Sequence, residues 1–209
     1  MRYATAVHRL VAIAEGCDRL RGLLDLGTLS AVYAYGQVLD APGADLPVVQ
    51  VAFAVDLADI ELPWGVEPPE CTTLVALLRL DKVPVERAWR AAARPVQNHV
   101  IRRPLRIWTS AGPDYESLEA LAAGHAEQLR LPSPDPTEEA TQYEQELTLS
   151  LTHLRSVRDR YWEDRDWRRT HRGRAATRRT TCGRPSTATS NSSAPHRQFR
   201  RTDLPPAAR

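Results

Sequence analysis

The run from Pro47 to Gly65, PVVQVAFAVDLADIELPWG, restricts the fold more than any other stretch of the chain. Val49, Val51, Phe53 and Val55 carry the bulk at odd positions, while Val48, Gln50, Ala52 and Ala54 are smaller or polar. A two-residue period sends the two sets to opposite faces of a sheet. A strand is therefore expected here, with the rest of the domain packed around it.

Two further stretches carry the same period. In residues 29–39, Val32, Ala34 and Gly36 fall on one side and Tyr33, Tyr35 and Gln37 on the other. The loop Asp40-Ala-Pro-Gly-Ala-Asp then leads into the opening run, which predicts an antiparallel pair. Residues 99–110 give a third strand, with Leu105, Ile107 and Thr109 alternating with Arg106 and Trp108. Pro104 places this strand at an edge or marks its start.

Helical spacing accounts for most of what remains. Residues 2–25 repeat Tyr3, Val7, Leu10, Val11, Ala14 and Cys17 at three- and four-residue steps, with His8 at the surface. Residues 72–81 suit a short helix with Thr72 or Thr73 near its N-cap. Residues 84–93 suit another, with Pro84 in the first turn and Val85, Trp89 and Ala92 facing inward. A helix from the Gly112-Pro113-Asp114 turn to Leu129 carries Leu118, Leu121, Ala122 and His125 on one stripe. The longest helix follows the PSPDP linker: Asp135 caps it, Pro136 opens it, and Glu138 and Glu139 suit its N-terminal dipole. Ala140, Tyr143, Leu147, Leu151, Leu154, Val157 and Tyr161 form its stripe. The expected fold is α+β: a small, mostly antiparallel sheet of about three strands (29–39, 48–56 and 104–110) flanked by four to five helices.

Charge divides the chain. Residues 1–171 carry 19 basic and 25 acidic side chains, whereas residues 172–209 carry nine arginines and one acid, Asp203. The basic tail has no Val, Ile, Met, Tyr or Trp and cannot bury a core, so residues 1–171 are expected as one globular domain and 172–209 as a disordered tail. Lys82 is the only lysine among 28 basic residues, a bias that fits a G+C-rich gene. Out-of-frame reading of such genes yields Arg-, Ala-, Pro-, Ser- and Thr-rich sequence. With permitted codons, the neighbouring frame over Ala176–Ser193 can spell YPEDHLWEAVDGYLELL, a helical pattern. The tail is accordingly read as a frameshift product that has replaced a final amphipathic helix, and the gene's nucleotide sequence tests this.

Cys17, Cys71 and Cys182 are isolated and make no metal-binding spacing. No signal-peptide pattern and no membrane-length apolar run occurs, so a cytoplasmic protein without membrane contact is expected.

Phosphate-binding, dinucleotide, zinc-protease, nucleophile-elbow and EF-hand motifs are all absent. The six histidines never pair at ligand spacing. No cofactor, metal or catalytic group is expected. A candidate binding surface lies around Asn98, His99, Arg102 and Arg103, where polar groups gather at one strand start, with Trp64 and Trp108 nearby. Trp64, in the PWGVEPPE loop, reads as a cap on the core edge ahead of a binding anchor. Pairing of the arginines with the domain's own carboxylates is the favoured reading of this cluster.

Two resemblances follow from particular residues. Helix, strand, Tyr35-Gly36-Gln37, loop, Asp45-Leu46-Pro47 and strand resemble the start of the nucleotidyltransferase superfamily. There a glycine turn follows the first strand and a carboxylate–hydrophobe–carboxylate triplet holds the catalytic metals. Gln37 and Pro47 depart from that pattern, and Arg106 stands on the third-strand candidate in place of an acid. The resemblance thus implies the fold without the two-metal chemistry. The segments RYATAVHRLVAIAE, YAYGQVLD, PWGVEPPE, LRLDK, NHVIRRPLRIWT and HLRSVRDRYWEDRDWRRTHRG are similar to a domain family of actinobacteria with no assigned activity.

Three functions are compatible with this reading: a non-catalytic interaction or structural domain with a protein partner, a nucleotide binder on a degenerate nucleotidyltransferase-like scaffold, or a nucleic-acid binder using the arginine tail. The missing catalytic constellation favours the first. The third is disfavoured because Phe199 alone interleaves the tail's arginines with an aromatic ring.

Overall fold

The structure, a computed structural model, describes residues 1–21, 28–58 and 67–171. Its elements in chain order are α1 (Tyr3–Arg21), β1 (Leu29–Tyr35), α2 (Gln37–Asp40), β2 (Val49–Val55), α3 (Thr72–Leu77), β3 (Val85–Ala91), β4 (Leu105–Thr109), β5 (Gly112–Pro113), α4 (Tyr115–Ala122), α5 (Pro136–Glu163) and α6 (Arg165–His171). The chain divides into two units, Met1–Arg165 and Asp166–Arg209. In the described part of the second, Arg169 pairs with Asp166 at 3.3 Å.

The first unit is α+β. Its five strands run in the order β3-β2-β1-β4-β5. β2 and β4 both pair antiparallel with β1, and β5 pairs antiparallel with β4. β3 lies parallel to β2. The period of the opening run is realised on β2: Val49, Val51, Phe53 and Val55 all enter the main core, while Ala52 belongs to a smaller cluster on the opposite face. β1 divides the same way, with Val32 and Ala34 in the main core and Tyr33 and Tyr35 on the other side.

Helices cover the apolar face. Ala6, Leu10, Ile13, Ala14 and Cys17 of α1, Leu74 and Val75 of α3, and Leu118 and Leu121 of α4 complete the main core. The Tyr3 hydroxyl donates to the Leu121 carbonyl at 2.7 Å, which ties α1 to α4. Val96 and Ile101, from the loop after β3, cover Tyr35 and Ala52 on the second face.

Local readings needed correction in four places. Residues 84–93 form the strand β3, not a helix. The short helix starts at Thr72, as expected, directly behind a 3-10 turn over Pro69–Cys71, but it ends at Leu77 rather than Asp81 and no threonine side chain caps it. The expected helix to Leu129 stops at Ala122, where Gly124 takes φ +75°, and resumes as a 3-10 turn over Ala126–Leu129. His125 is therefore exposed in the break and no part of an apolar stripe. Gly36 ends β1 instead of continuing it. Trp64 and residues 172–209 lie outside the described residues.

Candidate functional site

The loop between β3 and β4 is organised by Asn98, which is only 7 % exposed. Its Oδ1 accepts from the Val100 and Ile101 amides at 2.8 and 2.7 Å, and its own amide donates to the Ile101 carbonyl at 3.0 Å. A short amide side chain thus stands in for the backbone partners that a tight turn lacks. Asn98→Ala should cost about 2 kcal/mol, because the buried Ile101 amide and its neighbour would lose their acceptor. Urea unfolding checks this, and a loss below about 0.5 kcal/mol would show that the turn forms without the side chain.

Arg103 follows in a left-handed conformation, φ +43°, which side-chain-bearing residues avoid. Several bonds hold it there. Its amide donates to Gln97 at 3.0 Å, and its carbonyl accepts from Arg130 Nε at 2.6 Å. Its guanidinium pairs with Glu127. Arg130, whose side chain is almost fully covered, also donates to the Arg102 carbonyl and reaches Asp40 at 3.0 Å and Glu127 at 3.2 Å. Arg103, the nearer partner, and Arg130 hold the Glu127 carboxyl below the usual carboxylate range. Arg103 is accordingly committed to the domain's own acids.

Helix α5 closes the other side. Asp135 accepts from the Thr137 and Glu138 amides, and Glu138 reaches back to the Asp135 amide, forming a capping box ahead of Pro136. This start sets the helix phase so that Gln142 donates to the Gln97 carbonyl and Glu146 pairs with Arg90 of β3. Gln145 accepts from Arg94 at 2.9 Å. The Tyr143 hydroxyl donates to Glu139, which raises its pKa, and its ring meets His99 edge-on at 6.0 Å.

Between loop and helix lies a polar cleft of about 120 Å³, lined by Asn98, Arg102, Arg103, Glu139, Gln142 and Tyr143 among others. Pockets that enclose small organic ligands run to roughly 300–1,000 Å³, so this one is a seam rather than a substrate chamber. Four of the residues singled out by sequence, Asn98, His99, Arg102 and Arg103, do come together here. Trp108 does not: it is 1 % exposed in the main core. The β1–β4 register shifts between Val32 and Tyr33, which face Trp108 and Arg106, so Ile107 is the extra residue. This irregularity turns Trp108 toward the side already occupied by Leu105 and Ile107. Trp64 lies outside the described residues. Arg130 and Gln142 went unnoticed in the sequence, and Glu139 was read only as a partner of the helix dipole; the capping box, which fixes the inward positions of α5, was the signal that could have placed the last two at the cleft.

A second polar group sits where β1 ends. Gly36 takes φ +70°, and a Cβ there would stand 1.8 Å from Gln50 Oε1. Gln50 on β2 in turn donates to Glu86 on β3 at 2.9 Å. Glu86 is the carboxylate of this hydrogen-bonded group. Among the described residues no group of three or more His, Cys, Asp or Glu could hold a metal. Cys17 and Cys71 are buried, and burial, helped by neighbouring acids, pushes both thiols up to about 12, which leaves them protonated and unreactive at neutral pH. No described helix is long and apolar enough to cross a membrane.

The largest anomaly lies further along α5. None of its 28 residues is buried. Leu147, Leu151, Leu154 and Trp162 are 60, 43, 61 and 70 % exposed. The leucines of the stripe face outward beyond Glu146, because Glu146 and Gln142 are the positions turned toward the sheet and its loop.

These features define a small α+β domain with one long, apolar-striped helix. Residues 1–184 match the family described as Domain of unknown function (DUF7711), and the chain belongs to it; the match passes the change in composition at residue 172. No curated protein and no solved structure matches the chain.

Proposed function

We propose that this protein is a cytoplasmic, non-catalytic interaction domain whose working surface is the outer face of α5 and whose partner is a protein. One observation carries the reading. Leu147, Leu151 and Leu154 follow each other at helical spacing and all remain exposed, on a helix anchored to the body through its polar residues. An apolar stripe left open in this way is characteristic of helices that dock against another helix or into a groove.

A stability measurement tests it. A Leu147→Ser/Leu151→Ser/Leu154→Ser variant, unfolded at high dilution, should melt within about 2 °C of the parent, since exposed positions away from packed structure contribute little. A collapse in stability would make the stripe part of the core and end the reading.

A nucleotide-binding scaffold is the second reading, favoured by one arrangement: β1, the Gly36 turn, an antiparallel β2 and a parallel β3, with Gln50 beside Glu86. It resembles a nucleotidyltransferase core stripped of acids. ATP, GTP, CTP and UTP with magnesium should leave the melting temperature unchanged if the first reading holds. A shift that saturates with nucleotide concentration would favour the second.

A further inference from the structure

We propose that the occupant of the α5 stripe is α5 of a second copy of this chain, packed antiparallel with Leu151 at the two-fold axis; this rests on the reading of α5 as an interaction surface. Along the exposed side, helical spacing orders Ala140, Glu144, Leu147, Leu151, Leu154, Arg158 and Trp162. The order is graded. Its N-terminal end is small and acidic, its middle is leucine, and its C-terminal end is basic and aromatic.

A two-fold axis through Leu151 converts that gradient into complementarity. Glu144 meets Arg158 of the second copy, Ala140 meets Trp162, and Leu147 meets the turn holding Leu154. Large side chains face small ones and acid faces base, and each contact is made twice, as an isologous interface requires. A parallel pair would instead oppose Glu144 to Glu144, Arg158 to Arg158 and Trp162 to Trp162.

Charge along the whole helix agrees. Its first half, residues 136–149, holds Glu138, Glu139, Glu144 and Glu146 and no basic residue. Its second half, residues 150–163, holds Arg155, Arg158 and Arg160 against Asp159 and Glu163. In the single chain Arg158 bonds its neighbour Asp159 at 2.7 Å. Such exposed pairs contribute little, so exchange for Glu144 of a second copy is open to it. The helix is about 42 Å long at 1.5 Å per residue, which suffices for a continuous seam of several turns. The chain's own residues 172–209 are poor occupants, since Phe199 and Leu204 are their only large apolar side chains.

Sedimentation velocity on the full chain tests the proposal. Between about 1 and 100 µM the wild type should pass from its monomer mass of 23.4 kDa to twice that value. Leu151→Glu should hold it at the monomer mass. Glu144→Arg and Arg158→Glu should each weaken association about tenfold, and the double variant Glu144→Arg/Arg158→Glu should restore it. Restoration is specific to the antiparallel pair, because a parallel pair gains nothing from the swap. Circular dichroism of each variant controls for folding, and the charge variants carry the test if Leu151→Glu folds poorly. A wild type that stays monomeric throughout, a Leu151→Glu protein that pairs like the parent, or a double variant that stays weak would each overturn the antiparallel pair. A monomeric wild type alongside a stable triple-serine variant would remove self-pairing and leave the interaction reading standing. Unfolding of the dilute triple-serine variant would remove both.

Discussion

Phe53→Ala is expected to destabilise the domain by about 4 kcal/mol, the cost of deleting a fully enclosed aromatic ring from a core that relaxes only in part. Phe53 is 0 % exposed on β2. It lies opposite Val32 of β1 on one side and Trp89 of β3 on the other. Its ring stacks on Trp89 with centroids 5.0 Å apart and planes 26° from parallel. Truncation would open a cavity beneath the only sheet contact that Trp89 makes with an aromatic partner among the described residues, so β3 should loosen along with the core. For a chain of this size the loss corresponds to a fall in melting temperature of roughly 8–16 °C. Thermal and urea unfolding measure it. A cost below about 1.5 kcal/mol would mean that this layer can collapse around the gap, and the sheet would then be less tightly packed than its burial indicates.

The second large effect concerns the Arg90–Glu146 pair. The two side chains are 10 and 13 % exposed, and together they bridge β3 and α5. Arg90 also donates to the Pro95 carbonyl at 3.1 Å. Glu146→Ala would leave a guanidinium enclosed without its counter-charge, at a cost of about 3 kcal/mol. Simultaneous replacement, Arg90→Leu/Glu146→Leu, should recover most of that loss, because the penalty lies in the orphaned charge and not in the absence of the pair. Limited proteolysis near the Pro132–Pro136 linker gives an independent readout, since α5 depends on Glu146, Gln142 and Gln145 for its attachment. If Glu146→Ala costs no more than an exposed ion pair, within about 1 kcal/mol, the bridge is solvated and contributes little.

Much of the fold was legible because two strands are read directly from alternation. The faces of β1 and β2 fall as the sequence pattern requires, and Asp135 as cap with Pro136 behind it places the start of α5 to the residue. β3 was misread for a physical reason. Val85 and Trp89 stand four residues apart, which is one helical turn or two pleats, and Arg and Ala around them are good helix formers. Pairing with β2 over seven consecutive residues overrides that preference. Trp108 was misplaced by an extra residue that no alternation rule reveals, since irregular registers depend on the partner strand. Asn98, His99, Arg102 and Arg103 were found as a polar cluster, but Arg130, which pins two of their carbonyls from 27 residues away, was not, because the contact is made only when the chain folds back. The α5 stripe was visible as a period, yet a period says only that one face is apolar, not whether that face is covered.

The central place of β1 also sets an order of assembly. Its first partner, β2, arrives within roughly 20 residues and can zip up as a local pair. Its second partner, β4, is some 70–80 residues downstream, beyond α3 and β3. At synthesis rates of about 5–20 residues per second, the far side of β1 stays open for several seconds on the ribosome. Throughout that interval it presents an unpaired row of amides and carbonyls, and any neighbouring nascent strand could add to it. The slowest and most error-prone moment in the life of this protein is therefore expected before β4 arrives, when the strand that becomes the middle of the sheet is still one of its edges.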